Sequence, residues 1–389
     1  MDFLLSNEEA AIFEDVRCFI EKEVTPELVE ETYKNEMVYG GPESRKFVKK
    51  LAAKGWLTPD WPRELGGIGA SEQLAFMIHI QLMYAGAPTH YTAAKMAGPC
   101  IRRVGSEEMK KRFLPIAASG EVEFALGYTE AEAGSDLMSL KMRAEDKGDY
   151  FLVNGQKIFN TAAHLADYHW LGVRTEPDKK GASGISLMVV DLKSPGITVS
   201  PIITRLGSRT NEVSYEDVKV PKENLVGERG KGAYYIMQAL DHERSWPFGS
   251  YKKMLEEIVD YAKTKIVRGR PLSKDPLVRQ KIATMAADLE VTMLLYYRIA
   301  CLLDQKKSPG IEAAMQKLFV TENASQKLTE SIMQILGHFG PLERNSKWVQ
   351  IKGKLPHLYQ VSYVETIVAG TSEIQRNILA QRGLGLPRA

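Results

Sequence analysis

Cysteine is scarce in this chain of 389 residues: Cys18, Cys100 and Cys301 lie far apart and make no Cys-x-x-Cys pair. That usage fits a reducing compartment and speaks against a zinc or iron–sulfur site. The seven histidines show no His-x-x-x-His spacing either, so no metal is expected. An excess of charge is also lacking. The 51 basic and 49 acidic residues nearly cancel and are spread along the chain, which leaves no electrostatic footprint for a nucleic-acid partner. No uncharged run approaches the length of a membrane span. The start, Met1-Asp2-Phe3-Leu4-Leu5-Ser6, passes directly into acidic residues and lacks the basic and apolar regions of a signal peptide. A cytoplasmic protein without membrane insertion is the expectation. At roughly 150 residues per domain, the length suggests two or three domains with ample apolar content for a core.

What is present divides by periodicity. Ser6 and Glu9 form a capping box, and Ile12, Val16, Phe19 and Ile20 recur at helical spacing until Pro26. A second helix carries Phe47, Val48 and Leu51 and stops at Gly55, and the Pro- and Gly-rich segment from Trp56 to Gly69 reads as a loop. Ser71 and Ser106 cap further helices. The period then falls to two. Leu140, Met142 and Ala144 alternate with charged residues, and Asn154-Gly155 between Tyr150–Val153 and Lys157–Phe159 is a type I′ hairpin signal. Strands are predicted over 168–175, 185–192, 197–203 and 213–220, a spacing that suggests an antiparallel sandwich or barrel. Beyond the glycine-rich connector from Pro221 to Gly232, Asp275-Pro276 and Ser308-Pro309 each place a capping residue before a proline at the first helical position. A last helix runs from Ser372 to Gln381. The predicted fold is α+β: an all-α domain over 1–121, a β-barrel or sandwich domain over 122–230, and a four-helix bundle over 231–389.

At the seam between strands and bundle stands Ala239-Leu240-Asp241-His242-Glu243-Arg244, with Trp246 and Pro247 behind it. A proline there removes the amide that would bond the Glu243 carbonyl, so a kink is predicted at the carboxylate. An exposed charge cluster with an incidental proline is the plain alternative.

Three other blocks give this run a context. Gly127-Tyr128-Thr129-Glu130-Ala131-Glu132-Ala133-Gly134-Ser135-Asp136 resembles the first signature of the acyl-CoA dehydrogenases, departing only at Tyr128, where an aliphatic residue is usual. Gln334-Ile335-Leu336-Gly337 with Gly340 resembles that family's flavin-pyrophosphate motif, His338 replacing a glycine. Gly370-Thr371-Ser372-Glu373-Ile374-Gln375-Arg376-Asn377 resembles its C-terminal block, where a helix N-terminus suits an anion. With the 239–244 run, four blocks stand in the family's order. The resemblance implies the helix, β and helix-bundle layout and FAD as cofactor. It implies that Thr129 and Thr161 bond the flavin ring, that Phe159 takes the place of a tryptophan over it, and that Ser135 touches both CoA and cofactor. Asp241 and Arg244 would hold CoA, while Gln334, Gly337, Thr371 and Glu373 would contact FAD across or within a subunit pair. The family's Arg-x-x-Phe-Gly segment is here Lys265-Ile266-Val267-Arg268-Gly269, so the charge survives as Lys265 and the aromatic does not.

Most of the family removes the substrate's α-proton with a glutamate just before the C-terminal Gly-Thr, a position held here by Ala369. The chemistry still requires a base. In the branch resembling isovaleryl-CoA and long-chain dehydrogenases the base stands in a Leu-Asp-x-Glu-Arg run, and this chain has Leu240-Asp241-His242-Glu243-Arg244. Glu243 is the expected base. Glu365, one helical turn before Ala369, is the reserve, with an ordinary surface carboxylate as its plain alternative. The amide of Ala369 can still polarise the thioester carbonyl. The resemblance thus implies dehydrogenation of an acyl-CoA to the trans-2-enoyl-CoA, with electrons passed to an electron-transfer flavoprotein, in a dimer of dimers. The base position and the insertion around Lys347 to Tyr359 resemble bacterial members acting on branched or ring-bearing chains. Two alternatives stand beside this: an acyl-CoA oxidase, or a non-catalytic partner in a mixed tetramer.

Overall fold

The computed structural model describes residues 5–35, 40–205, 207–242 and 248–387. Thirteen α-helices among these residues are, in chain order, α1 (Asn7–Glu23), α2 (Pro26–Lys34), α3 (Pro42–Ala53), α4 (Glu72–Ala85), α5 (Gly98–Val104), α6 (Glu107–Ala118), α7 (Gly232–His242), α8 (Phe248–Thr264), α9 (Pro276–Asp304), α10 (Gly310–Phe319), α11 (Leu328–Leu336), α12 (Leu355–Glu365) and α13 (Ser372–Ile378). The main sheet contains β1 (Phe124–Gly127), β2 (Arg143–Asp146), β3 (Tyr150–Lys157), β4 (Tyr168–Arg174), β5 (Ile185–Asp191), β6 (Ile197–Ile203) and β7 (Arg209–Pro221). Among the described residues no helix is long and apolar enough to cross a membrane.

Local chemistry explains most helix starts. The Ser6 hydroxyl accepts from the Glu9 amide at 3.2 Å while Glu9 accepts from the Ser6 amide at 3.2 Å, the reciprocal capping box read from the sequence. Ser71 caps α4, Ser106 caps α6, and Asp275 accepts from the amides of both Leu277 and Val278 at the start of α9. Ser308 does not follow this pattern. Pro309 itself occupies the position before α10, and no side chain caps that end. Pro26 does not end helical structure either: it opens α2, where Thr25 accepts from the Leu28 amide and the fixed proline φ is already helical.

Contacts gather the chain into two compact units. One comprises Lys22–Ala70 and Ala87–Glu243. Its sheet runs in the order β1-β4-β2-β3-β7-β6 with β5 paired to β4. Most pairings are antiparallel, but β4 pairs parallel with both β1 and β2. Alternation along β5 shows how the sheet is covered. Ile185, Leu187 and Val189 join a core with Phe113, Trp170 and Ile236, whereas Met188 and Val190 join a second core with Phe151, Val153 and Val213. Successive side chains of a strand point to opposite faces, so β5 is apolar on both.

The Asn154-Gly155 hairpin is not formed. β3 runs straight through this dipeptide, pairs with β7, and shifts register between Val153 and Gly155. The Asn154 amide nitrogen donates to Asp217 Oδ1 at 3.0 Å, and the Asp217 amide donates back to Asn154 Oδ1 at 2.8 Å. The positive φ available to Gly155 (136°) is spent on a bulge. Lys147, Gly148 and Asp149 make the actual β2–β3 turn, closed by the Lys147 amide on the Tyr150 carbonyl at 2.9 Å.

The other unit comprises Met1–Glu21, Ser71–Gly86 and Arg244–Ala389. Here α4, α8, α9 and the run from α10 to α11 enclose Ile80, Tyr251, Met254, Ile258, Leu289, Val320, Leu328 and Ile332. Phe76 of α4 stacks on Tyr296 of α9 with ring centroids 4.2 Å apart. Between α10 and α11 the helix widens into a π-helical stretch, Val320–Lys327. The helices foreseen in the N-terminal third are therefore shared between both units.

Candidate active site

In the sheet unit the signature block forms a tight reverse turn. Glu130 and Ala133 exchange backbone bonds of 3.1 Å each, and Ser135 and Asp136 stand exposed beyond them. The Glu130 carboxylate is the anchor. It accepts from the amides of Lys141 (2.6 Å) and Met142 (2.9 Å) and from Lys157 Nζ at 2.8 Å. Lys157 is fully buried and also donates to the Tyr128 carbonyl at 3.0 Å. Burial pushes its ammonium down to about 8 against the pull of Glu130. Burial opposes the Glu130 charge too, but Lys157 and the two amides outweigh it and hold the carboxyl below its ordinary value. Removing one partner of such a pair would leave an uncompensated buried charge.

This anchoring places Thr129 beside the loop that follows β3. The Ile158 amide donates to the Thr129 carbonyl at 3.0 Å, and the Thr161 amide to the Phe159 carbonyl at 3.0 Å. Asn160 locks the loop from beneath: its side chain donates to the Leu126 carbonyl, and Asn211 donates to the Asn160 carbonyl, each at 2.8 Å. Between these fixed points Phe159 and Ala162 adopt left-handed φ values of 58° and 66°. Such conformations cost about 1–3 kcal/mol per non-glycine residue and persist only where neighbours over-determine them. The Phe159 ring is 60% exposed. Thr129, Phe159 and Thr161 are thus brought together as two threonines beside an uncovered aromatic platform, a donor set that fits one face of a planar, amphipathic flavin. Sequence reasoning missed Asn160 and Asn211, since 51 residues separate them and no local pattern links them.

In the helical unit the C-terminal block makes a second strained turn. Ala369 has φ 52° and Gly370 φ 87°. Gln375 Nε2 donates to the carbonyls of both, at 3.2 and 3.1 Å, and Thr371 caps α13 through the Ile374 amide at 3.2 Å. Glu373 stands exposed in the first turn of α13. Gln334, at the end of α11, accepts from Lys281 Nζ at 2.5 Å. Gly337 follows with φ 56°, and Lys265 lies 5.0 Å from the ring of neighbouring Phe339. Lys265, Gln334 and Gly337 therefore belong to one neighbourhood. Arg268 and Gly269, both at positive φ, form the two-residue turn of a short hairpin between Ile266–Val267 and Arg270–Pro271.

Glu243 and Arg244, with the kink at Pro247, lie outside the described residues, and of Asp241 the backbone alone is described, in α7. Glu365 is no surface carboxylate. It is buried among α8, α12 and the π-helical stretch, where Tyr251 Oη donates to its oxygens at 2.8 and 2.9 Å and Ser325 Oγ also bonds it. Burial pushes its carboxyl up to about 7, although Ser325, Tyr251 and the nearby Lys317 charge pull the other way. Lys317, fully buried, donates to the Thr366 carbonyl at 3.2 Å. A lysine inside the apolar run Ala313-Ala314-Met315-Gln316-Lys317-Leu318-Phe319 was the sequence signal for this cluster.

A helical and β unit carrying an aromatic platform, with a helical bundle carrying two glycine turns, defines a flavin-dependent oxidoreductase of three sequence domains. Family models match all three: acyl-CoA dehydrogenase N-terminal domain over residues 6–121, middle domain over 125–218 and C-terminal domain over 230–384. Acyl-CoA dehydrogenase FadE26 of Mycobacterium tuberculosis is 33% identical, with 96% of each chain covered. Caffeyl-CoA reductase-Etf complex subunit CarC of Acetobacterium woodii is 32% identical over 94% of this chain and 95% of its own. Among solved structures, the Tcur3481-Tcur3483 steroid ACAD superposes with a TM-score of 0.91 at 32% identity, all of both chains covered. The chain belongs to the acyl-CoA dehydrogenase family, and FAD is its cofactor.

Proposed function

We propose that the protein dehydrogenates a ring-bearing or branched acyl-CoA to its trans-2-enoyl-CoA and passes the electrons to an electron-transfer flavoprotein. The observation that carries this reading is Ala369. It keeps a left-handed turn with a backbone amide but supplies no carboxylate, while Glu243 stands in the run that resembles the alternative base position. Two relatives support the ring-bearing acyl group, since one is named for caffeyl-CoA and one as a steroid ACAD. The name of the former also joins it to an Etf complex, which supports the acceptor.

In this reading FAD, when bound, supplies the acceptor for the hydride leaving the β-carbon. Glu243 takes the α-proton as general base. The Ala369 amide donates to the thioester oxygen as negative charge develops there. Asp241, Arg244 and Ser135 hold the CoA portion. Thr129, Thr161 and Phe159 bind the flavin ring, Ser135 also touches the cofactor, and Lys265, Gln334, Gly337, Thr371 and Glu373 contact the rest of it within or across a subunit pair. The domains divide near residues 121 and 230, and the protein works in the cytoplasm as a dimer of dimers. Departures at Ala369, His338 and Lys265–Gly269, and a relative that is a complex subunit, favour a mixed tetramer as the second reading.

Glu243→Gln in the FAD-loaded protein is the test. Anaerobic mixing with the best of an acyl-CoA panel should bleach the flavin about 100- to 10,000-fold more slowly than in the wild type. Bleaching at the wild-type rate would remove Glu243 as the base and bring forward Glu365. Peroxide released at the rate of turnover, with no electron-transfer flavoprotein present, would assign the oxidase. Purified protein that stays colourless with added FAD would assign the non-catalytic partner.

A further inference from the structure

The Glu365 cluster is built beyond what packing asks for. Tyr251 Oη lies 2.7 Å from Ser325 Oγ and within 2.9 Å of both Glu365 oxygens, and Ser325 Oγ bonds Glu365 as well. These are four contacts among three residue pairs; the two hydroxyls supply two protons, and a protonated carboxyl supplies the third, one for each pair. All three side chains are buried. A closed network of this kind fixes every member, because no solvent competes for its bonds.

What the network fixes is a turn. Glu365 is the last residue of α12, and the chain then passes through Thr366 to the left-handed Ala369 and Gly370. Thr366 is held on two sides, by Lys317 Nζ on its carbonyl and by the Ser372 amide on the same oxygen at 2.9 Å. Gln375 holds the far end of the turn. Tyr251 lies in the first turn of α8, eight residues after Glu243 in the chain, while Glu365 lies four before Ala369. One hydrogen bond therefore ties the helix that follows the base-bearing run to the segment that carries the amide. The bond spans 114 residues of sequence.

We propose that Glu365 and Tyr251 are positioning residues for the reaction, holding the 366–370 turn so that the Ala369 amide keeps the orientation in which it polarises the thioester carbonyl. This rests on the dehydrogenase reading above. In this role both act through the backbone of Ala369. Loss of the tie leaves binding of the CoA portion intact and loosens a donor needed most in the transition state.

The test uses FAD-loaded protein with three substitutions: Tyr251→Phe, Glu365→Leu and Glu365→Gln. Tyr251→Phe removes one hydroxyl and keeps the ring, so it reports even where Glu365→Leu fails to fold. Tyr251→Phe and Glu365→Leu should lower kcat about ten- to a hundredfold with KM within about twofold, whereas Glu365→Gln, which still accepts from Tyr251, restores most of the rate. The second readout is isotope-edited infrared spectroscopy of a bound acyl-CoA carrying a labelled thioester carbonyl and two α-methyl groups, which has no α-proton to lose. Its carbonyl band, lowered on binding to wild-type protein, should move back toward the free frequency in Tyr251→Phe and Glu365→Leu and stay low in Glu365→Gln. Variants that lose rate with an unmoved band, or keep both, overturn the proposal, as does a wild-type band at the free frequency. Wild-type protein that lowers the band yet never bleaches its flavin would sink the dehydrogenase reading, and the variants' bands would still decide the positioning role.

Discussion

Among the described residues, burial makes the carboxyls of Glu123 and Glu365 sensitive to pH near neutrality. Glu123, at the foot of β1, accepts through one oxygen from the amides of Ala93 (2.8 Å) and Phe124 (2.7 Å), and burial lifts its carboxyl to about 8. Glu365 is lifted to about 7. In both, the folded state holds its proton to a higher pH than the unfolded chain does, so the stabilisation is full below about 4.5 and is lost as pH rises through 7 and 8. For a group as deeply buried as Glu123 the loss is on the order of a few kcal/mol. Burial also lowers the pKa of His90, His164, His169 and His357, which favours the folded state as pH rises toward 6.5, so thermal melts should show the melting temperature falling between about pH 6.5 and pH 8.5. Glu123→Gln, which keeps the accepting oxygen and cannot ionise, should flatten that fall; an unchanged slope would mean Glu123 is not its source.

At the scale of elements, the β3–β7 bulge shows how one glycine sets a surface. A Cβ on Gly155 would lie 2.8 Å from the Met142 side chain and 3.2 Å from its Cα, at a φ that side chains rarely adopt. Gly155→Ala should destabilise the sheet unit by about 1–3 kcal/mol, measured as a shifted urea midpoint with an unchanged slope. A midpoint within error of the wild type would show that β3 can close its bulge. The Asn154-Gly155 signal was legible as a demand for positive φ, but sequence could not say whether a turn or a bulge would use it. Asp217, which exchanges two bonds with Asn154, lies 63 residues away and decides the matter.

At the scale of the whole molecule, apolar side chains on the bundle helices remain uncovered. Leu277, Val291 and Leu294 on α9 and Ile311 and Met315 on α10 are all exposed. These side chains do not serve this chain's own core. Large apolar side chains exposed on two helices fit a protein interface, and they support the proposed dimer of dimers. Leu294→Glu with Ile311→Glu should reduce the mass seen by light scattering from that of a tetramer to that of a dimer or monomer. A tetramer that persists would place the interface elsewhere.

The sequence by itself determined most of the helix caps, the change of period that separates helices from strands, the family blocks and the vacancy of the base position at Ala369. Each of these depends on residues within a few positions of one another, where spacing alone fixes which atoms can meet. Tertiary structure decided what Glu365, Phe159 and Gly155 do. Burial with Tyr251 and Ser325 as hydrogen-bond partners made Glu365, the reserve base, an interior anchor and not a surface carboxylate. The Asn160–Asn211 lock made a strained, uncovered platform of Phe159. In each case the deciding partner lies tens of residues away in the chain; the bonds at Glu365 and at the Asn160–Asn211 lock are made out of reach of water, whereas Asn154 and Asp217 exchange theirs at the surface.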